Sequence, residues 1–154
     1  MRGGYDKDYL VGIGGEGKVR IEEGTSVESG ADKVVFKSHN FEKNYLDLLD
    51  LLGDQTNICA YLYCEIECKK SQKLFLHAGT NDAGKIWLGE KLVIEHPYDG
   101  GAARSEYFVP ITLKKGKTPV LVKIDQAGGG WGAYIELYGE KAHAKFLKEL
   151  KARD

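Results

Sequence analysis

Proline, cysteine and methionine are scarce in this chain, at 3, 3 and 1 of 154 residues. Few prolines, with 42% hydrophobic and 29% charged residues, exclude the low-hydrophobicity, high-charge signature of disorder. No apolar run approaches the ~20 residues that a membrane-spanning helix needs, which argues against a membrane partner. The opening Met1-Arg2-Gly3-Gly4-Tyr5 also lacks the apolar centre of a signal peptide. An excised piece of a longer secreted protein would read the same way. An excess of one charge is missing too: the net charge is -1, so no basic field gathers phosphates, and nucleic acid is not an expected partner.

The three cysteines, Cys59, Cys64 and Cys68, fall within one strand-like stretch. Along a strand Cys64 and Cys68 would stand ~13 Å apart, beyond the ~7 Å reach of a disulfide. The spacing implies free thiols, and it is wrong for a CxxC metal site. A reducing or anaerobic setting is a weak corollary. His39, His77, His96 and His143 show no HxH or HExxH spacing, so no metalloenzyme is expected. GxSxG is absent, and the 23 acidic residues do not single out a glycosidase carboxylate pair. Gly12, Gly14 and Gly17 fall on GxGxxG spacing. No helical pattern follows and no βαβ unit surrounds them, so a nucleotide loop is rejected.

What is present is period-two patterning. Ile58, Ala60, Leu62, Cys64, Ile66 and Cys68 alternate with Cys59, Tyr61, Tyr63, Glu65 and Glu67, which predicts a strand with its even positions on the core. Further strands are expected over 73–78, 85–88, 91–95, 107–113, 120–125 and 133–137. Gly89-Glu90 makes the tip of a hairpin, where glycine supplies the positive φ of the turn. Residues 41–52 carry Tyr45, Leu48, Leu49 and Leu52 at helical spacing with Gly53 as a stop, predicting about three helical turns. Residues 141–154 predict an amphipathic C-terminal helix through Ala142, Phe146, Leu147 and Leu150. The expected fold is all-β: a single domain over 1–154, an antiparallel β-sandwich of jelly-roll type with a short internal helix and a C-terminal helix. Residues 1–24 read as an irregular lead-in with one short strand around Val19 and Ile21.

Two glycine-rich segments carry the functional argument. Gly79-Thr80-Asn81-Asp82-Ala83-Gly84-Lys85-Ile86-Trp87-Leu88-Gly89-Glu90-Lys91-Leu92-Val93 places a polar loop before the hairpin, and Gly128-Gly129-Gly130-Trp131-Gly132 presents an aromatic within a sharply bending loop. Together with Gly14-Gly15-Glu16 and Leu46-Asp47-Leu48-Leu49, they resemble accessory sandwich modules of glycoside hydrolases and other extracellular enzymes. Those modules are similar to the lectin-type domain of anthrax protective antigen and yeast flocculins. The resemblance covers most of the chain. It implies a carbohydrate-binding module without catalysis, extracellular as part of a larger multidomain enzyme, with a poly- or oligosaccharide as partner.

In that lectin-type family a pair of loop aspartates holds a calcium ion that holds sugar hydroxyls. Here the pair is Asn81-Asp82, which keeps the oxygen ligands but loses a charge and so weakens the case for calcium. The same two residues also suit a turn closed by side-chain bonds to the backbone. Trp131 is the candidate platform for a sugar ring, with core packing as the alternative; Trp87 is expected in the core. Tyr98, Asp99 and Arg104 lie in the long loop after the hairpin, where arginine would suit vicinal hydroxyls or a uronate. Asp125 and Gln126 would complete the rim. If Tyr61 and Tyr63 stand together on the odd face of their strand, a sheet-face groove competes with the loop site. The rival functional class is a structural or protein-interaction sandwich, and a small hydrolase or lyase is the third reading.

Overall fold

The computed structural model describes residues 4–153. After a short 3-10 turn at Val11–Ile13 come β1 (Ser26–Ser29), β2 (Asp32–Val35), β3 (Tyr45–Asp47), α1 (Leu48–Leu52), β4 (Ile58–Cys68) and β5 (Gln72–Thr80). There follow β6 (Gly84–Leu88), β7 (Lys91–His96), β8 (Tyr107–Leu113), β9 (Gly116–Gln126), β10 (Gly132–Tyr138) and α2 (Glu140–Lys151). β1 and β2 pair only with each other, while the remaining strands form two antiparallel sheets ordered β3-β10-β5-β8 and β4-β9-β6-β7. The all-β sandwich with an internal and a C-terminal helix is thus the observed fold. Among the described residues, no helix is long and apolar enough to cross a membrane.

The core lies between the sheets. Leu76, Ala78, Ile111, Leu113 and Ala133 from one sheet meet Ala60, Ile86, Ile94, Val120, Val122 and Ile124 from the other. Each large aliphatic group buried there contributes roughly 1.5–3 kcal/mol. The 89–90 hairpin forms as expected, with Gly89 at φ +60° and its N–H tying the tip to the Pro119 carbonyl of the adjacent β9, 2.8 Å.

Both sheets are also covered on their outer faces. Over the second sheet, Leu10 and Val19 of the lead-in pack on Trp87 and Leu121, with Tyr61 and Tyr63 at the margin. Trp87 is therefore buried, but beneath the lead-in. The ε-ammonium of Lys123, fully buried on β9, bolts this layer down. It donates to the carbonyls of Tyr5 (2.9 Å) and Lys7 (2.6 Å) and to Glu16 Oε1 (2.8 Å). The Tyr61 hydroxyl donates to the same Glu16 oxygen. A sheet-face groove at Tyr61 and Tyr63 is thereby filled by the chain's own lead-in. That lead-in holds no strand at Val19 and Ile21; both side chains point into this second apolar layer instead.

The helix expected over 41–52 is reduced to Leu48–Leu52. Tyr45, Leu46 and Asp47 pair with Tyr134, Ala133 and Gly132 as an edge strand. Sheet pairing supplies partners for the β10 backbone, and this tertiary demand overrides a helical pattern three turns long. Asp47 then caps α1, accepting from the Asp50 N–H at 3.2 Å. The β1–β2 hairpin has no counterpart in the sequence-based reading, because every residue of β2 is exposed and no alternation marks it.

α2 covers the first sheet through a histidine and aromatic cluster. His77 on β5 is fully buried, its ring stacked on Tyr138 at 3.9 Å, and its Nε2 lies 2.9 Å from Nδ1 of His143 on α2. The His143 ring stacks on Phe75 at 3.7 Å. One ring must donate and the other accept, so the bond requires at least one neutral imidazole. Burial, then His143, pulls the His77 pKa below its ordinary value, while Glu136 opposes the shift. The unfolded chain therefore binds more protons than the folded one as pH falls through the histidine range, about 6.5. Stability is expected to be full above that value and to decline below it, levelling off once His77 protonates in the folded protein. Denaturant midpoints between pH 8 and pH 5 test this. The slope should flatten in His77→Leu, and an unchanged slope would contradict the account.

Candidate functional site at the loop end

The chain crosses between the two sheets four times at one end of the sandwich: from β3 and α1 to β4, from β5 to β6, from β7 to β8 and from β9 to β10. Asn81 and Asp82 tie three of these crossings together. The Asn81 N–H donates to the Gly132 carbonyl (2.9 Å), and its side-chain Nδ2 donates to the Gly100 carbonyl at 2.6 Å. The Asp82 N–H donates to the same carbonyl at 2.8 Å. Asp82 Oδ1 accepts from the Gly100 N–H (3.2 Å) and Oδ2 from the Ala127 N–H at 2.8 Å. Asp82 sits at φ +56°, a conformation in which aspartate is tolerated better than most residues. The chain needs glycine at 130, where a Cβ would strike Asn81 Oδ1.

Asp82 thus spends both carboxylate oxygens on backbone amides of two other loops. Among the described residues, no group of three or more His, Cys, Asp or Glu side chains could hold a metal ion. In this structure the donors of the pair serve as a backbone staple. Beneath the staple, the Thr80 hydroxyl donates to the Asp82 carbonyl at 2.9 Å and lies 3.1 Å from His96 Nδ1. With its single proton committed, Thr80 accepts from His96, which fixes the proton on Nδ1.

Asp125 is 1% exposed. Its Oδ1 accepts from the Gly4 N–H at 3.0 Å, whereas its buried Oδ2 has no partner among the described residues. Burial raises the Asp125 pKa, donors at Gly4 and Gln126 partly offset this, and the charges of Asp99 and Asp82 raise it further. Gln126 is fully buried; Nε2 reaches the Gly129 carbonyl at 3.3 Å, and Oε1 is likewise unpartnered. Tyr98 and Asp99 stand on the exposed rim, Tyr98 being 65% exposed with its ring 5.9 Å from that of His96.

Two of the expected site residues lie elsewhere. Trp131 is 1% exposed and packed in the central core, its Nε1 3.4 Å from the Ile124 carbonyl. It is no sugar platform: the glycines around it allow the backbone to turn inward and place the indole between the sheets. Arg104 leaves the rim and lies over the outer face of the first sheet, held by Glu136. Glu136 escaped the sequence reading because one carboxylate among many carries no spacing signal. The cysteines are free among the described residues, and burial pushes the Cys59 thiol up to about 11.

No protein-family model matches the chain. No curated protein matches it either. Solved structures do. The selenomethionine-labelled β-glucosidase from Kluyveromyces marxianus matches with a TM-score of 0.56 at 16% identity, covering 85% of this chain and 18% of that one. The β-glucosidase from Kluyveromyces marxianus in complex with glucose matches with a TM-score of 0.54 at 16% identity, covering 76% and 16%. The chain therefore spans less than a fifth of that enzyme. The likeness is one of fold, a β-rich sandwich that also occurs within a glycoside hydrolase.

Two substitutions separate structure from site. Trp131→Ala should destabilise the protein by about 3–5 kcal/mol, the cost of emptying a large core position, as read by urea unfolding. Because folding raises the Asp125 pKa, stability is lost as pH rises from the ordinary carboxylate range through the raised value, and stays lost above it. Asp125→Asn should accordingly raise the unfolding midpoint at pH 7. The gain should shrink in acid, and a lower midpoint at pH 7 would refute it.

Proposed function

We propose that the chain is a non-catalytic carbohydrate-binding module that holds an attached polysaccharide-active enzyme or surface protein close to its glycan. The observation that supports this most directly is Asp125, a carboxylate 1% exposed with one oxygen unpartnered among the described residues, its pKa raised chiefly by burial, within loops that Asn81 and Asp82 lock in place. Groups with perturbed pKa values cluster at functional sites, and locked loops lose little entropy on binding. Tyr98 and Asp99 on the rim would meet the sugar, with Asn81, Asp82, Asp125 and Gln126 setting the loop geometry behind them. The fold likeness to part of a β-glucosidase, solved in one case with glucose, is consistent with a glycan context. In this reading the module acts by effective concentration, outside the cell, as part of a larger protein. Calcium is not required.

A second reading, a protein-interaction sandwich, is favoured by the β1–β2 hairpin, whose Val34 and Val35 are exposed. Pull-down on insoluble polysaccharides and a glycan array, each with calcium and with chelator, separate the two. Saturable binding that survives chelator and weakens in Asp99→Ala is expected. Loss in chelator would return Asn81 and Asp82 to the role of ion ligands. No binding in either condition would favour the interaction domain, and release of new reducing ends would overturn the non-catalytic reading.

A further inference from the structure

A module of this kind needs an aromatic surface for the sugar ring, and Trp131 cannot supply it. On β10, Ala133 and Ile135 point into the core, so Tyr134 and Glu136 lie on the opposite, outer face, about 6.8 Å apart along the strand. Tyr134 is flanked across the sheet by Tyr45 on β3 and Gly79 on β5. The two tyrosine rings sit 4.9 Å apart, tilted by 50°, and both are half-buried. Two glycines shape this surface. A Cβ at Gly132 would run into the Tyr45 ring, so that ring rests over the bare backbone of β10. A Cβ at Gly79 would collide with the Ala103 carbonyl, so the 97–106 loop lies directly on the sheet there.

That loop delivers Arg104. Its Nε and Nη2 donate to Glu136 at 2.7 and 2.6 Å in a two-pronged bond, with the arginine side chain 55% exposed and the glutamate 15%. Farther along the face the rings of Tyr138, His77 and Phe108 are covered by α2. The part left between the loop end and α2 is a tyrosine pair walled by an arginine–glutamate fork.

We propose that Tyr45, Tyr134, Arg104 and Glu136 form a binding surface for a neutral pyranose with vicinal hydroxyls, set on the outer face of the first sheet. This rests on the carbohydrate-binding reading above and moves its main contact from the loop rim to the sheet. The tyrosines take the C–H face of the ring with little loss of side-chain freedom. A guanidinium has five N–H donors, and with two on Glu136 the others can reach a pair of neighbouring hydroxyls. Glu136 cancels the charge of Arg104, which disfavours a uronate and selects an uncharged sugar.

The test is titration of the protein with soluble mixed-linkage β-glucan, arabinoxylan and polygalacturonate. Wild type should prefer a neutral polymer. Tyr134→Ala should weaken it at least about tenfold, the equivalent of roughly 1.4 kcal/mol, Arg104→Ala should weaken it too, and Tyr134→Phe should stay close to wild type. Binding that survives Tyr134→Ala and Arg104→Ala but falls in Asp99→Ala overturns the surface while keeping the module. Preference for polygalacturonate overturns the neutral-sugar assignment. No binding to any polymer overturns both readings. Should Tyr134→Ala not fold, the tyrosine ring resonances of the wild type decide: they shift on adding β-glucan oligosaccharide, or the surface is refuted.

Discussion

Each sheet of this sandwich buries apolar side chains on its outer face as well as in the core, and that constraint shapes the segments outside the strands. β9 shows it most plainly: its residues are buried without interruption from Pro119 to Gln126. One side of such a strand belongs to the common core, and the other needs a second layer to keep water away. The lead-in covers one sheet and α2 covers the other. Each layer is fastened by a polar contact within an apolar setting, Lys123 to the lead-in and His77 to His143 on α2. Such contacts add direction to packing that would otherwise tolerate sliding, because a buried donor left without its acceptor is costly.

The strands that were legible in the sequence are those with one wet face or a sharp turn. β4 follows its alternation from Ile58 to Cys68, and β8 runs over the expected 107–113. β9 begins four residues before the expected start at 120, since Gly116 to Pro119 alternate poorly yet still pair with β4. The short β3 was hidden within a helical pattern because its pairing partner lies far along the chain. Alternation also does not reveal what covers the far side of a strand. Trp87, Tyr61 and Tyr63 occupy the layer beneath the lead-in, which a period of two cannot distinguish from solvent.

Site residues were legible where they formed a local polar pattern in the sequence, whatever the distance to their partners. Asn81 and Asp82 stood out as a polar pair before a hairpin, and both bond chiefly to loop backbone. Asp125 and Gln126 drew notice by their position before the glycine-rich loop, but both are buried behind the rim they were expected to complete. Arg104 was noticed for its chemistry, but its partner Glu136 lies 32 residues away and no sequence rule joins them. Trp131 was misplaced for a related reason: glycines on either side permit a turn toward the surface or toward the core, and only the packing of both sheets chooses between them.

The two poles of the sandwich are built differently. At the pole away from the staple, the connections after β4, β6 and β8 take only two or three residues; the one after β6 is a hairpin within its sheet, and those after β4 and β8 cross tightly from one sheet to the other. At the stapled pole the connections into β4, β8 and β10 are longer, and the short one between β5 and β6 holds its neighbours through a few side-chain bonds to backbone. The strand pairings do not run through these loops, so composition there is free to change where Asp82 keeps its amides and the close approaches at Gly79 and Gly130 are kept. This separates the part of the sequence that specifies the fold from the part that can diversify, so descendants of this scaffold could acquire new recognition by altering loops at a single pole while inheriting the same core.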